Sequence, residues 1–141
     1  MTIKQLSVFI ENKTGRINEV TKILGANGIN MTAFSLAENS EFGILRMIVS
    51  DVDLATRVLK EAHFAVTITD VVCFSCPNVP GALSTVLECL ANENIFIEYM
   101  YAFSQDESAN VVIRPTDINR CIDTLKVNKC DLLNSSNLCQ K

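Results

Sequence analysis

Hydrophobic positions alternate with polar ones in some parts of the chain and recur at helical spacing in others. Residues 4–10 and 70–76 are rich in apolar and β-branched side chains, which predicts one strand in each range. After each strand, apolar residues recur at steps of three and four, as expected for an amphipathic helix. Gly28 and Asn94 are predicted to end these two helices, because both residue types tolerate the left-handed backbone conformation that follows a helix.

Each predicted helix is followed by two extended runs, a second helical pattern and a closing strand. The extended runs read INMTAFSLA and FGILRMIVS around a polar turn at Glu38–Glu41, and IFIEYMYAF and ANVVIRP around a polar turn at Ser104–Glu107. Ser50 and Thr116 are the predicted N-caps of the second helices, and the closing strands read FAVTIT and CDLLN. Each half therefore has the order β-α-β-β-α-β of a ferredoxin-like α+β unit, with both helices on one sheet face.

The two halves of the chain are copies of one pattern. A shift that places Gly15 on Gly81 aligns the halves without a gap, and the apolar positions keep their character along the alignment. We therefore predict two domains, residues 1–68 and residues 69–141, rather than one.

A unit of this size leaves one face of its sheet without helices. Ile44 and Ile48 point to the opposite face from Leu45, Met47 and Val49, because side chains alternate along a strand. One of these two sets cannot contact the helices of its own unit. We predict that the bare faces are buried by the other repeat or by a second chain.

Composition and charge narrow the possible partners. Hydrophobic residues make up 48% of the 141 residues, which is enough for a core, and the net charge of −4 argues against nucleic acid binding. No apolar run approaches the roughly 20 residues of a membrane span. The N-terminal segment does not resemble a signal peptide, so we expect no membrane contact and a cytoplasmic location.

The six cysteines are expected to be reduced thiols in that compartment. Cys73 and Cys76 form a C-x-x-C motif, but residues three apart on a strand point to opposite faces, and no second motif or histidine follows. Cys89, Cys121 and Cys130 lie at positions of the apolar pattern and are predicted to be core thiols. We therefore expect no metal, no redox chemistry and no cofactor.

The turn from the first strand into the first helix of each half is the most informative element. It carries Gly15 in the first half and Gly81 in the second. A glycine lets backbone amides approach a ligand closely, and a helix N-terminus offers unpaired N–H groups with a partial positive charge. Together these features suit a carboxylate. The alternative, that each glycine only makes a tight turn, stays open at this point.

The order and length of the two halves resemble a known family. A βαββαβ unit of this size, with N-x-x-G before an amphipathic helix and then I-N-M or I-F-I entering the next strand, resembles the ACT domain. The resemblance covers nearly all of the chain in two copies. ACT domains are regulatory modules of amino-acid metabolism that typically pair side by side into an extended antiparallel sheet. The resemblance therefore implies a protein that is not an enzyme, that binds a free amino acid at the seam between repeats, that forms a homodimer and that regulates a partner enzyme.

The resemblance also implies which residues contact the ligand. In ACT domains the loop before the first helix meets the carboxylate and amino groups of the ligand, and the second strand of the facing domain meets its side chain. The corresponding residues are Asn12, Lys13, Thr14, Gly15, Arg16, Ile17, Asn30, Met31 and Thr32 in the first half, and Asn78, Val79, Pro80, Gly81, Ala82, Leu83, Phe96, Ile97 and Glu98 in the second.

The two implied sites differ in chemistry. Arg16 of the first loop is replaced by Ala82 in the second, so an anion there would depend on backbone amides alone. Glu98 is either a partner for an ammonium group or basic side chain, or a solvated strand residue. We therefore expect one ligand site, or two sites of unequal affinity.

Three functions are compatible with these observations. The first is an amino-acid sensor that acts on a partner enzyme or pathway, and the second is a dimerising subunit of a separately encoded enzyme with no ligand of its own. The third, a small enzyme, has the least support, because the chain has no recognisable catalytic motif and a single histidine, His63.

Overall fold

The computed structural model describes residues 1–38, 41–105 and 107–138. Its elements, in chain order, are β1 (Ile3–Glu11), α1 (Arg16–Ala26), β2 (Met31–Glu38), β3 (Phe42–Val49), α2 (Val52–Glu61), β4 (Ala65–Pro77), α3 (Ala82–Asn92), β5 (Ile97–Gln105), β6 (Ser108–Pro115), α4 (Ile118–Val127), β7 (Asp131–Leu133) and α5 (Ser135–Leu138). The two predicted hairpin turns include Asn39, Ser40 and Asp106, and Cys139 follows α5; these four residues lie outside the described residues. None of the described helices is long and apolar enough to cross a membrane.

The chain divides into two units between Thr69 and Asp70. The N-terminal unit comprises Lys4–Thr69, and the C-terminal unit comprises Asp70–Leu138 together with Met1–Ile3. The sequence placed a domain boundary after residue 68 and a separate strand on either side of it. The structure instead has one continuous strand, β4, across this position, because no glycine or proline interrupts the extended run.

The sheet of the N-terminal unit has the strand order β2-β3-β1-β4, with Ala65–Thr69 as this unit's part of β4. β3 pairs antiparallel with both β1 and β2. Apolar side chains on one face of β1 and β3 pack against α1 and α2, which confirms the predicted helix layer. The buried members of this core are Leu6, Val8, Ile10, Val20, Leu24, Ile29, Leu45, Met47, Val49, Ala55, Leu59 and Phe64.

The C-terminal unit repeats this arrangement with the strand order β5-β6-β4-β7. β4 pairs antiparallel with β6 and with the short β7, and β5 pairs antiparallel with β6. On β5 the half-buried Tyr99 and Tyr101 alternate with the exposed Met100. Its core lies between the sheet and the helices α3 and α4, and the buried members are Val72, Phe74, Cys76, Val86, Leu90, Ile95, Val111, Ile113, Cys121, Ile122 and Leu125.

Several side chains on the sheet face that points away from the helices are also buried. In the N-terminal unit, Ile48 is 1% exposed, and the polar residues Gln5 and Ser7 on the same face are buried as well. The Gln5 side-chain amide donates a hydrogen bond to Ser7 Oγ at 3.4 Å, so this buried pair partly satisfies itself. In the C-terminal unit, Cys73 and Val112 take the corresponding buried positions.

The second helix of each unit begins one residue later than the sequence indicated. Asp51 caps α2 by accepting from the Leu54 amide at 3.0 Å, and Asp117 caps α4 in the same way from Arg120. The predicted caps at Ser50 and Thr116 are therefore wrong. The Ser50 hydroxyl instead accepts from the Asn30 amide at 2.9 Å, which leaves the following aspartate to cap the helix.

Candidate functional site

Both strand-to-helix glycines adopt the left-handed conformation. Gly15 precedes α1 with φ 90° and ψ −9°, and Gly81 precedes α3 with φ 85° and ψ −13°. A Cβ atom at either position would meet no heavy atom within 4 Å. The requirement for glycine is therefore set by the backbone torsion rather than by crowding, and the space above each turn is open to a small ligand.

The helices that follow these glycines begin without a side-chain cap. In the described part of the chain, neither α1 nor α3 has a side-chain N-cap, whereas α2 and α4 each have an aspartate. The amides of Arg16 and Ala82 donate back into the loops, to Lys13 O and Val79 O, each at 3.3 Å. The next amides with an acceptor in the chain are Glu19, which donates to Gly15 O at 3.0 Å, and Thr85, which donates to Gly81 O at 3.2 Å. Among the described residues, the amides of the two residues just before each of these have no acceptor. These open amides are those of Ile17, Asn18, Leu83 and Ser84.

Charged side chains surround the N-terminal loop. Lys13 Nζ lies 3.0 Å from Glu11 Oε2, and Arg16 lies 2.7 Å from Glu19 Oε2. The hydrogen bond from Lys13, the charge of Lys13 and the charge of Arg16, in that order, lower the pKa of Glu11. The two cations of this loop therefore favour the ionised form of Glu11.

Arg16 is held in place by two contacts that the sequence did not indicate. Its guanidinium lies over the ring of Phe64, 4.6 Å from the ring centroid, in addition to the ion pair with Glu19. Arg16 Nε is buried and has no hydrogen-bond partner among the described residues. This guanidinium therefore has an unused donor, but it must leave Glu19 to make a bidentate contact with a carboxylate.

The C-terminal loop has no charged side chain between Asn78 and Leu83. Ala82 stands where the first loop has Arg16, and Val79 is 60% exposed. The Asn78 amide donates to Glu107 O at 3.3 Å, which ties the start of the loop to the β5–β6 hairpin. An anion at this loop would be bound by the helix amides alone, as the sequence indicated.

Residues 30–32 and 96–98 lead into β2 and β5 and are called the strand entries. Each strand entry is held by the loop that precedes the second helix of its unit. The Asn30 amide donates to the Ser50 hydroxyl, and the Ser50 amide donates to the Asn30 carbonyl. In the C-terminal unit, the Thr116 amide donates to Phe96 O at 3.0 Å. Met31 and Ile97 pack against the cores of their own units and are only partly accessible. Phe96, by contrast, is 66% exposed. Of the two apolar strand entries, the one in the C-terminal unit is therefore the more available to a ligand.

Glu98 already has a cationic neighbour. Its Oε2 lies 3.9 Å from Arg114 Nε, and another nitrogen of the Arg114 guanidinium donates to the Asp70 carbonyl at 2.5 Å. The Glu98 side chain is still 45% exposed. A ligand ammonium group at Glu98 would therefore compete with a weak, solvent-screened ion pair rather than with a buried one.

The loop and the strand entry of one unit lie at opposite ends of a helix. α1 has eleven residues, so its start and its end are separated by about 16 Å. The loop at Gly15 and the entry at Asn30 therefore do not meet within the N-terminal unit. The same holds for Gly81 and Phe96, because α3 also has eleven residues.

The structure also identifies one residue near the loop that the sequence analysis missed. A Cβ atom at Gly43 would lie 3.2 Å from Leu36 Cδ1 and 3.7 Å from Asn12 Oδ1. Gly43 thus lets the start of β3 pass close to the Asn12 side chain. A glycine inside a strand run is a known sign of such a close approach, so the signal was present in the sequence.

Metal binding finds no support in the described part of the chain. No group of three or more His, Cys, Asp or Glu side chains there is arranged to hold an ion. Cys76 belongs to the core beneath the helices, whereas Cys73 is buried on the other face, which confirms that the C-x-x-C motif is divided between two faces.

Comparison with known proteins identifies the family. The family model described as ACT domain pair matches residues 1–141. Protein BT0572 from Bacteroides thetaiotaomicron is 57% identical, with a TM-score of 0.95 and coverage of 100% of this chain and 98% of that one. The regulatory subunits of aspartate kinase from Thermus thermophilus and Thermus flavus share the fold at 13% and 15% identity. Both have a TM-score of 0.64, and the alignments cover 88% and 87% of this chain and 90% and 88% of those chains.

No curated protein sequence matches the chain. The family assignment therefore depends on the family model and on the solved structures. Because that model spans the whole sequence and the 57% identical structure covers the whole chain, the protein belongs to the ACT domain pair family.

Proposed function

We propose that this protein binds a free amino acid through its strand-to-helix loops and transmits ligand occupancy to a partner enzyme. Membership of the ACT family supports a regulatory, ligand-sensing role in general. Two structures with the same fold are regulatory subunits of aspartate kinase, which makes an enzyme of amino-acid metabolism a reasonable class of partner. The observation that carries the proposal is the pair of open helix starts after Gly15 and Gly81.

The open amides supply the recognition chemistry. A ligand carboxylate above Gly15 can accept from the amides of Ile17 and Asn18, where the helix dipole adds a partial positive charge. Lys13 and Arg16 add full positive charges beside it, whereas the C-terminal loop has none. We therefore expect the N-terminal loop to bind the carboxylate more tightly than the C-terminal loop.

A complete site needs a strand entry from outside the unit that supplies the loop. The loop and the entry of one unit are separated by the length of a helix, so the ligand side chain must meet an entry of the other repeat or of a second chain. We propose that the protein is a homodimer. The exposed apolar side chains Phe34 and Leu36 on β2, an edge strand, provide a surface for this association.

A thermal-shift screen with the twenty amino acids tests ligand binding directly. A ligand that binds only the folded protein raises its melting temperature, with a stabilisation that grows as RT ln(1 + [L]/Kd). We expect one amino acid, or a few related ones, to raise the melting temperature at millimolar concentration. A flat response across all twenty would contradict the proposal.

A matched pair of glycine variants then locates the site. Gly15→Ala and Gly28→Ala both place a side chain at a positive φ, of 90° and 70°, with no atom within 4 Å of the new Cβ. Both therefore impose a similar torsional cost, but Gly28 lies at the far end of α1. We expect only Gly15→Ala to weaken binding of the amino acid found in the screen, as measured by calorimetry.

One observation favours the alternative of a dimerising subunit with no ligand of its own. The three charged side chains predicted to bind the ligand already have partners: Lys13 with Glu11, Arg16 with Glu19, and Glu98 with Arg114. This alternative predicts no thermal shift with any amino acid, together with stable co-purification with an enzyme. The amino-acid screen therefore separates the two functions.

A further inference from the structure

Two cysteines face each other across the β4–β7 ladder. β4 and β7 pair antiparallel with Phe74 opposite Leu132 and Ser75 opposite Asp131. One step further in the same register places Cys76 opposite Cys130. Residues directly opposite each other in an antiparallel pair point to the same face, so the two thiols lie side by side.

The burial of the two residues agrees with this placement. Cys76 is a buried member of the C-terminal core, and Cys130 packs against that core as a partly buried side chain. Both are free thiols. Opposite residues have Cβ atoms about 4.5–5.5 Å apart, and a disulfide needs about 3.5–4.5 Å, so a small local adjustment joins them.

The thiols also line a cavity of about 450 Å³. Its wall includes Pro77, Ala82 and Lys129 in addition to Cys76 and Cys130. In the N-terminal unit, the positions equivalent to Ala82 and Cys130 are Arg16 and Phe64, and there the guanidinium lies over the ring. The smaller side chains of the C-terminal unit leave this volume open, which gives a small oxidant access to the sulfur atoms.

We propose that Cys76 and Cys130 form a reversible disulfide when the protein meets a peroxide. The Cys130 thiolate, the more accessible of the two, attacks one peroxide oxygen, breaks the O–O bond and becomes a sulfenic acid. The Cys76 sulfur then displaces hydroxide from that sulfenic acid and forms the S–S bond. In total, two thiols and one hydrogen peroxide give one disulfide and two waters, with the sulfur atoms oxidised and the peroxide reduced.

The environment of Cys130 slows this reaction. Burial, followed by repulsion from the Cys89 and Cys76 thiolates, raises the pKa of Cys130 above its usual value of 9.0. Little thiolate is therefore present at neutral pH, and the modification is expected to follow sustained rather than brief exposure. A third thiol, Cys89, affects the pKa of Cys130 more than Cys76 does. Cys89 donates to the Thr85 carbonyl at 3.4 Å and is the competitor for Cys130 that the experiment must distinguish.

Mass spectrometry on the native full-length chain tests the proposal. The chain is treated with hydrogen peroxide, the remaining thiols are alkylated with iodoacetamide, and the chain is digested without reduction. Cleavage after Phe74, Glu88, Lys129 and Leu133 puts Cys76, Cys89 and Cys130 on three different peptides. We expect a Cys76–Cys130 linked peptide as the dominant product, a fall from six to four alkylated thiols, and recovery of six after dithiothreitol.

Two serine variants serve as controls. Cys89→Ser, at a half-buried thiol nearby, should keep the linked peptide, whereas Cys130→Ser should lose it. A dominant link through Cys89, or retention of six alkylated thiols while the protein stays folded, would overturn the proposal. Mapping on the unsubstituted chain decides the matter even where a serine variant fails to fold.

Discussion

At the residue scale, the clearest constraint is torsional rather than steric. Gly15 and Gly25 both have open space where a Cβ would lie, but only Gly15 has a positive φ. We expect Gly15→Ala to lower the free energy of unfolding by about 1–2 kcal/mol, because a left-handed conformation costs a non-glycine residue that amount. Gly25→Ala, inside α1, should instead raise it by about 0.4–1 kcal/mol. Urea unfolding of the two variants checks both signs, and equal effects would contradict this assignment.

The contact between Arg16 and Phe64 is a second residue-scale feature. Arg16→Ala removes the stacked guanidinium and the exposed ion pair with Glu19, and we expect a loss of about 0.5–2 kcal/mol of unfolding free energy. Lys22→Ala is the control, because it removes an equal charge from an exposed position of the same helix. It should change the unfolding free energy by less than about 0.5 kcal/mol. If both variants lose the same unfolding free energy, the contact with the Phe64 ring contributes nothing to stability.

Buried thiols give the stability a dependence on alkaline pH. Burial raises the pKa of Cys73 to about 12, and burial with a smaller effect of Asp117 raises the pKa of Cys121 to about 11. Below pH 9.0 both thiols are neutral in the folded and unfolded chains, so their contribution to stability is fully present. As pH rises from 9, only the unfolded thiols ionise, up to about pH 11 for Cys121 and about pH 12 for Cys73. Over these ranges each site loses up to about 1.4 kcal/mol per pH unit.

The alkaline loss of stability can be assigned by substitution. Urea unfolding at a series of pH values should show a shallower decline above pH 9 for Cys73→Ala than for the unsubstituted chain. Identical slopes would mean that Cys73 ionises as readily in the folded chain as in the unfolded one.

The residue scale is also where sequence reasoning reached its limit. The position and the chemistry of Gly15 and Gly81 followed from local pattern, because torsion and helix starts depend on neighbours in sequence. The contact of Arg16 with Phe64 did not, because tertiary packing brings together two residues that are far apart in the sequence and leave no periodic signal.

At the element scale, a tertiary contact decides which of two neighbouring residues caps a helix. A hydroxyl at Ser50 and a carboxylate at Asp51 are both good N-caps, so propensity alone does not choose between them. The choice follows from a contact twenty residues away, since the Ser50 hydroxyl accepts from the Asn30 amide. The same displacement by one residue occurs at Asp117, where Thr116 is tied to Phe96.

This assignment makes a direct prediction about α2. Asp51→Ala should lower the unfolding free energy by about 1 kcal/mol, because the Leu54 amide loses its acceptor. Asp53→Ala is the matched control, since Asp53 also lies in the first turn but accepts no cap hydrogen bond. It should cost less, about 0.3–1 kcal/mol from the helix dipole alone. A larger loss for Asp53→Ala in urea unfolding would reverse the assignment of the cap.

Strand boundaries were predicted less well than strand existence. Every strand of both repeats was indicated by its apolar run, and even the short β7 appears where the weak pattern CDLLN occurs. The two strands predicted on either side of residue 68 form one strand, β4. The repeat pattern predicted a break there because each copy begins and ends with its own strand, although the sequence at that point contains no turn signal.

At the scale of the whole molecule, the repeat determined most of what could be predicted. Recognising two copies gave the order of helices and strands in each unit and the prediction that both helices cover one sheet face. The pairing of loops with strand entries stays a prediction, because each loop is separated from its own unit's entry by a full helix. Such a pairing depends on association between units or chains, which local patterns do not encode.

Sedimentation tests the proposed homodimer at this scale. We expect the protein to sediment as a dimer at micromolar concentration and Phe34→Glu to sediment as a monomer, because the substitution places a charge on the exposed edge strand β2. Val127→Glu is the matched control, since Val127 is an exposed apolar residue at the end of α4. A concentration-independent monomer for the unsubstituted chain would contradict the dimer, and dissociation by both variants would exclude a specific role for β2.

The placement of the aromatic side chains has a practical consequence for optical work. The chain has no tryptophan, and its two tyrosines, Tyr99 and Tyr101, both lie on β5. Intrinsic tyrosine emission therefore originates from one strand of the C-terminal unit. A titration that quenches or enhances this emission reports on that strand, whereas binding that does not reach β5 leaves the signal constant. Label-free fluorescence can thus show whether a ligand contacts the strand entry of the C-terminal unit in the unsubstituted protein.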